Sequence, residues 1–310
     1  MTGDWTTTHD PRITTHGFPG RLLTLHGGRR LGYSEFGPSG GAPVFYCHGF
    51  PGSRLEARIA EDALSRRGVR LIAIDRPGYG LSDFQPGRRI GDWPQDVTAV
   101  ADTLGIRRFA VLGVSGGGAY ATACAARLAD RVTATGIVCG LGRTDLPELR
   151  APMSPFARFS FAFAGRCPRL AQLSYGLLGT VLRKRPRWTL ALLALQAPPI
   201  DRAVLADSRV QSVLMDSFRE AYRAGGRGPA YDLALYALPW DFSPEAIRVP
   251  FHVWHGEQDM TVPVAMGRWY EREVPGCRAR YFADEGHFSL PVNRMDEMLE
   301  VLLPAGSGNQ

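Results

Sequence analysis

The sequence predicts an α/β fold: a mostly parallel, eight-stranded sheet covered by helices, with a helical insertion. Three observations carry this expectation. Short apolar runs alternate with helix-period segments over residues 21–142 and again over 239–303. The rhythm breaks at Gly142, and residues 143–238 hold helical segments but few strand-like runs. Several of the apolar runs end in glycine-rich turns. Strands buried on both faces read as continuous apolar runs, and consecutive parallel strands need crossover connections.

The elements follow in order. Arg21–Leu25 and Arg29–Glu35 are short strands around the turn His26-Gly27-Gly28. Pro43–Cys47 is a buried strand, followed by a helix over Leu55–Arg67 that stops at Gly68. Val69–Ile74 is the next strand, and Asp92–Leu104 is a helix closed by Gly105. Phe109–Val114, the small-residue helix Ala119–Arg127 and Val132–Cys139 complete the first part. In the insertion, Pro168–Leu182, Trp188–Leu195 and Ala203–Ala224 read as helices, with Gly225–Gly228 and Pro229 marking an end. Val249–Trp254, Val264–Val274, Ala279–Phe282 and Asn293–Leu303 restore the alternation. Residues 1–20 and 304–310 are expected to be peripheral tails, the second one frayed.

Composition narrows the function classes. A chain of 310 residues that is 45% hydrophobic supports a sizeable core and excludes a largely disordered protein. No apolar run approaches membrane-spanning length, and residues 1–20 are polar with no secretory signature. The five cysteines are odd in number and dispersed, which fits a reducing cytoplasm better than a disulfide framework. No Cys/His cluster has zinc spacing. The net charge of +6 rests almost entirely on arginine, and Lys184 is the only lysine. This reads as the codon bias of a GC-rich genome. The one tight cluster, Arg183-Lys184-Arg185 with Arg187, lacks a base-stacking pattern, so nucleic-acid binding is not expected.

The sharpest local signal is Gly113-Val114-Ser115-Gly116-Gly117, between a strand and a helix. A serine on such a turn has strained backbone angles, and neighbours without Cβ let the chain pass closely. The turn places the Ser115 hydroxyl at the carboxyl edge of the sheet, beside the unpaired amides of a helix start. His48-Gly49-Phe50-Pro51-Gly52 ends an earlier strand. Its Phe50 N–H, with the Gly116 N–H, can form an oxyanion hole, whereas Pro51 has no N–H to give. The His48 ring is expected to brace this loop; action as a base is the second possibility. A serine hydroxyl needs a base, and His287 after the last strand can supply it. Asp259, after the preceding strand, can orient His287 and stabilise the imidazolium. Asp145 and Glu257 are alternative acids, Asp145 because it follows the strand Val132–Cys139. Taken alone, each of these residues also fits an ordinary turn or helix-capping position.

Taken together, the motifs resemble the α/β-hydrolase superfamily. The resemblance rests on His48-Gly49-Phe50-Pro51-Gly52-Ser53-Arg54, on Asp75-Arg76-Pro77-Gly78-Tyr79-Gly80-Leu81-Ser82-Asp83, and on the serine turn. His255-Gly256-Glu257-Gln258-Asp259 with Val262-Pro263, and Glu285-Gly286-His287, complete it. It covers about residues 21–303 except most of the insertion. It implies a triad of Ser115, Asp259 and His287 in that family's chain order, an oxyanion hole at Phe50 and Gly116, and structural roles for His48, Gly49, Gly113 and Gly117. Epoxide hydrolases and haloalkane dehalogenases of this fold share the His-Gly-Phe-Pro loop but use an Asp nucleophile, where this chain has Ser115.

The resemblance implies a serine hydrolase of a small or medium, largely apolar ester or lactone, with no metal or organic cofactor. A biosynthetic or catabolic relative is the alternative: a C–C bond hydrolase, a cyclase or a protein like the cofactor-free oxygenases. A non-catalytic ligand-binding relative is a third reading. The insertion, residues 143–238, is expected to form a cap over the site. Its Phe156, Phe159, Phe161, Phe163, Leu177, Leu178, Leu182, Trp188, Leu192 and Leu193 are expected mostly to pack the cap, some lining an apolar pocket. Arg54 is expected to pair with Asp75 or Asp83. The expected partner is a small molecule, with no nucleic acid and no membrane, on a monomer or homodimer.

Overall fold

The computed structural model describes residues 6–8, 14–15 and 18–303, with side chains from Gly20 to Leu303 apart from Thr180 and Leu182. The tail 304–310 lies outside the described residues. Apart from a short two-stranded ribbon, Thr14–Thr15 with Phe18–Pro19, the strands are β1 (Thr6–Thr8), β2 (Arg21–Thr24), β3 (Arg30–Phe36), β4 (Ala42–Cys47), β5 (Val69–Ile74), β6 (Phe109–Val114), β7 (Val132–Val138), β8 (Phe251–Gly256) and β9 (Arg278–Phe282). They form one sheet in the order β1-β2-β3-β5-β4-β6-β7-β8-β9. The pairs β1/β2, β2/β3 and β3/β5 are antiparallel, and the rest are parallel. The eight expected strands are all present, and Thr6–Thr8 extends the sheet by one edge strand.

Alternation along the strands divides the interior in two. Val44 and Tyr46 of β4 join Ala63, Leu64, Met298 and Leu299 on one face. Phe45 and Cys47 join Val97, Ala123 and Tyr270 on the other. Successive strand side chains point to opposite faces, so a sheet buried on both needs the unbroken apolar runs seen in the sequence. The helices α1 (Glu61–Arg67), α2 (Trp93–Thr103) and α3 (Gly117–Arg127) connect the first parallel strands.

Between β7 and β8 lie α4 (Pro147–Arg150), α5 (Pro155–Arg166), α6 (Pro168–Lys184), α7 (Pro186–Gln196), α8 (Pro199–Ala206), α9 (Ser208–Ala221) and α10 (Arg227–Tyr236). After β8 come α11 (Val264–Glu273), α12 (Ser289–Asn293) and α13 (Met295–Leu302). The expected helix Ala203–Ala224 is two helices. Asp207 ends α8 and caps α9, its side chain accepting from the N–H groups of Arg209 (2.9 Å) and Val210 (3.0 Å). Such a cap satisfies amides that a new helix leaves open. Gly225 and Gly226 lie in the turn after α9, as the expected helix end requires, and Arg227–Pro229 already open α10. Pro229 falls in the first turn, where its missing N–H costs no intrahelical bond. No helix among the described residues is long and apolar enough to cross a membrane.

Because β4, β6, β8 and β9 run parallel, the loops after them emerge on one edge of the sheet. Those loops carry His48–Gly52, Ser115, Asp259 and His287.

Candidate active site

Ser115 directly follows β6 and has φ 53°, a left-handed conformation that few side-chain-bearing residues adopt. Three backbone bonds fix it: its N–H donates to the Val138 carbonyl, and its carbonyl accepts from Gly118 and Leu141, each at 2.9 Å. Such strain persists only where the surroundings over-determine it. The flanking glycines are sterically required. A Cβ on Gly113 would lie 2.5 Å from the Gly117 carbonyl oxygen, and one on Gly117 would lie 1.9 Å from that of Cys47.

His287 and Asp259 come together from the loops after β9 and β8. His287 Nδ1 lies 2.8 Å from Asp259 Oδ2, and both side chains are almost wholly buried. The other carboxylate oxygen of Asp259 accepts from the Thr261 N–H at 2.8 Å and the Val262 N–H at 2.7 Å. Burial by itself would lift the Asp259 pKa, but charge attraction and hydrogen bonding from His287 outweigh it and hold it below the usual range. Burial likewise opposes charging of His287. The Asp259 carboxylate, helped by Asp201 and Glu56, more than compensates and raises the imidazole above its ordinary value. Asp145 is not brought to this pair; it forms a two-pronged ion pair with Arg143 at 2.7 and 2.6 Å. For Glu257, the structure shows its N–H donating to the Phe282 carbonyl at 2.9 Å. Asp259 also neighbours His255 and Cys139, whose ligand atoms lie with it within 4.8 Å. The donor chemistry suits bracing more than a cation. Burial pushes the Cys139 thiol well up, so it stays protonated, and His255 Nε2 meets the Val262 carbonyl at 2.9 Å.

The loop after β4 is held from below. His48 Nδ1 lies 3.0 Å from the Gly49 carbonyl, and Nε2 accepts the Arg76 N–H at 3.2 Å. Burial and the nearby Arg76 charge press the ring well below its ordinary pKa, so it is neutral. The Arg76 guanidinium donates to the carbonyls of His48 and Gly49, the latter at 2.8 Å. Among the described residues, neither the Phe50 N–H nor the Gly116 N–H has an acceptor. Glu56 is buried beside them, one oxygen accepting from the Gly49 N–H (2.7 Å) and the Tyr46 hydroxyl (2.9 Å). Burial pushes its carboxyl up against those two bonds. Arg54, fully buried, pairs with Asp75 at 2.6 Å and with Glu220 of α9 at 2.7 Å, while Asp83 pairs with Arg30.

Besides Glu220, two more acids from the inserted helices reach into this framework. Asp201 of α8 accepts from three consecutive amides of the histidine loop: His287 (2.9 Å), Phe288 (3.0 Å) and Ser289 (2.8 Å). Asp232 of α10 accepts from Arg76 Nε (2.7 Å), Tyr79 (2.9 Å), Tyr120 (2.7 Å) and Arg88. Burial alone would push the Asp232 carboxyl up, but Arg88 and Arg76 hold it down to about 2. Tyr236, also on α10, donates to the Gly116 carbonyl at 3.0 Å. Sequence reasoning passed over Asp201, Asp232 and Glu56. The available signal was a lone acid in an apolar helix, as with Asp232 amid Ala230, Leu233, Ala234 and Leu235, because an acid is rarely buried unpaired.

Ser115 and His287 face one cavity of about 120 Å³. Phe50, Glu56 and Phe288 contribute from the core, and Leu193, Leu214 and Phe218 from α7 and α9. Its wall is mostly hydrocarbon, with Ser115, His287, Glu56, Tyr46, Thr189 and Thr261 as the polar side chains.

A family model described as the alpha/beta hydrolase fold matches residues 42–293. The chain is 23% identical over 327 residues to a bifunctional epoxide hydrolase 2 of Sus scrofa, covering 96% of this chain and 56% of that protein. It spans about half the length of the curated relatives it matches first. Among solved structures, a hydrolase from Pseudomonas aeruginosa PA01 superposes with a TM-score of 0.65 at 18% identity, covering 92% of this chain and 98% of the other. The esterase RhEst1 from Rhodococcus sp. ECU1013 gives 0.61 at 24% identity, covering 91% and 96%.

Proposed function

The chain belongs to the α/β-hydrolase family, and from that premise we propose that it is a serine hydrolase of small or medium, largely apolar carboxylic esters or lactones. One observation carries the reading: a strained Ser115 shares a cavity with His287, whose far nitrogen is bonded to the buried carboxylate of Asp259. In this mechanism His287 Nε2 takes the Ser115 proton as Oγ attacks the ester carbonyl carbon. The oxyanion forms toward the N–H groups of Phe50 and Gly116. His287 then protonates the departing alkoxide, leaving an acyl-serine. Water, deprotonated by the same histidine, cleaves it and regenerates the enzyme.

Relatives named as epoxide hydrolases raise a second chemistry, but the nucleophile of that chemistry is a carboxylate, and the elbow here carries a hydroxyl. The apolar wall of Leu193, Leu214 and Phe218 supports an apolar acyl or alcohol group, at roughly 0.8 kcal/mol per buried methylene. A cavity of about 120 Å³ supports a compact one. We place the reaction in the cytoplasm, in keeping with five free cysteines.

The test is a fluorophosphonate and a series of p-nitrophenyl esters of increasing chain length. Wild type should form one covalent adduct, absent in Ser115→Ala, and should turn over short and medium chains fastest. Labelling at another serine, or no ester turnover beside rapid epoxide opening, would overturn the reading.

A further inference from the structure

The outer surface of α5–α7 has an unusual chemistry. Of the thirteen large apolar side chains that stand exposed among the described residues, ten lie on these three helices. On α6, Leu170, Leu173, Leu177 and Val181 recur at helical spacing and form an outward stripe, with Leu177 68% exposed. On α7 the exposed stripe is Trp188, Leu192 and Leu195. Phe156 and Phe159 extend it onto α5. The helices are neighbours, α5 packing on α6 and α6 on α7.

The charge on the same segment has one sign. No aspartate or glutamate occurs between Glu148 and Asp201. Arg158, Arg166 and Arg169 are exposed on α5 and at the start of α6. Arg183, Lys184, Arg185 and Arg187 are exposed at the turn into α7, where the Arg185 guanidinium lies 5.6 Å from the Trp188 ring centre.

We propose that α5–α7 dock on an anionic lipid surface, with the leucine and aromatic stripes at the acyl boundary and the seven cations at the headgroup phosphates. An apolar face with Trp, Phe and Leu, flanked by Arg and Lys, is the chemistry of helices that lie in the membrane interface. A second copy of the chain fits less well, because pairing this face with itself would set seven cations against seven. A nucleic acid would use the cations but leave the apolar stripes unburied. The docked face also adjoins the cavity, since Thr189 and Leu193 of α7 line it while Trp188, Leu192 and Leu195 face outward. The expectation of a protein without membrane contact gives way here to a peripheral one. The proposal does not rest on the hydrolase reading.

The experiment is flotation of the full chain with vesicles of phosphatidylcholine alone and of phosphatidylcholine mixed with phosphatidylglycerol. The protein should float with the anionic vesicles only, and added salt should release it. Neutralising Arg183, Lys184, Arg185 and Arg187 to serine should weaken partitioning about 100-fold or more, since each cation contributes near an anionic surface. Trp188 emission should shift to the blue on binding. Circular dichroism checks folding, and the wild-type contrast between the two vesicles stands if a variant fails to fold. Equal binding to both vesicles, or to neither, would overturn the proposal. So would a concentration-dependent dimer that Leu173→Glu dissociates while anionic vesicles capture nothing.

Discussion

The inserted helices present two faces of opposite chemistry. The underside carries acids: Asp201 holds the loop of His287, Asp232 holds the arginine that supports the loop after β4, and Glu220 pairs with Arg54. The outer side of α5–α7 carries cations and hydrocarbon and no acid. The difference separates two jobs. The underside holds the loops around Ser115 and His287, so under the proposed mechanism the insertion would position the reacting groups as well as line their cavity. The outer side, on the docking proposal, would set where the molecule sits. Changes on one side should therefore leave the other's property untouched.

The largest effect is expected on the underside, at Asp232. Its carboxylate is buried between Arg76 and Arg88, and removing one partner of a buried ion pair strands the other charges, at a cost of about 3–5 kcal/mol. Asp232→Asn should lower the urea midpoint accordingly while vesicle partitioning of the folded fraction holds. The pH dependence has a definite sign. A carboxyl whose folded pKa is depressed contributes stability above its unfolded value, about 3.9, and loses it as pH falls toward the folded value of about 2. The wild type should lose stability through that window, and the variant should lose less. An unchanged midpoint would mean that the insertion does not hold the core in this way.

Asp201 should act more through rate than through stability. Asp201→Asn keeps one acceptor oxygen for the loop amides and removes the charge. A histidine displaced by a fraction of an ångström should lower kcat by roughly ten- to a hundredfold. The pH profile separates positioning from general damage. His287 must be neutral to act as a base, so kcat/KM rises with pH through its pKa, which lies above the ordinary value partly because of Asp201. In the variant this limb should move to lower pH. A limb that stays in place, with only the amplitude reduced, would assign Asp201 to loop folding alone.

How far the sequence carried the reading depends on how local each interaction is. The serine turn, the His48–Gly52 loop and the two late loops are each written in a few consecutive residues, so their strand-end positions could be read directly. Asp232 lies 156 residues from Arg76, and Asp201 lies 86 from His287. No local pattern encodes such pairings. The insertion shows a second limit. Its apolar spacing told which residues share a helix face, and the expectation was that most of them pack inward. Phe161 is buried, but Phe156, Phe159, Leu177, Trp188 and Leu192 face solvent. Periodicity defines a face without saying which way it turns, and an acid-free charge pattern was the clue that this one turns outward.

The smallest stability effect is expected on that outer face, and it tests the comparison from the other side. Leu177→Gln replaces an exposed leucine by a residue of similar helix propensity, so α6 itself should be unaffected. Surface changes away from packed or charged features stay within about 0.5 kcal/mol, so the urea midpoint and kcat on a soluble p-nitrophenyl ester should match wild type. Partitioning onto anionic vesicles should fall, because the glutamine carries a polar amide into the acyl boundary. A drop in stability well beyond that range would show that Leu177 is covered in solution by protein, and the two faces would no longer divide geometry from location. Unchanged stability together with unchanged partitioning would remove the α6 stripe from the docking surface and leave only the cations to carry it.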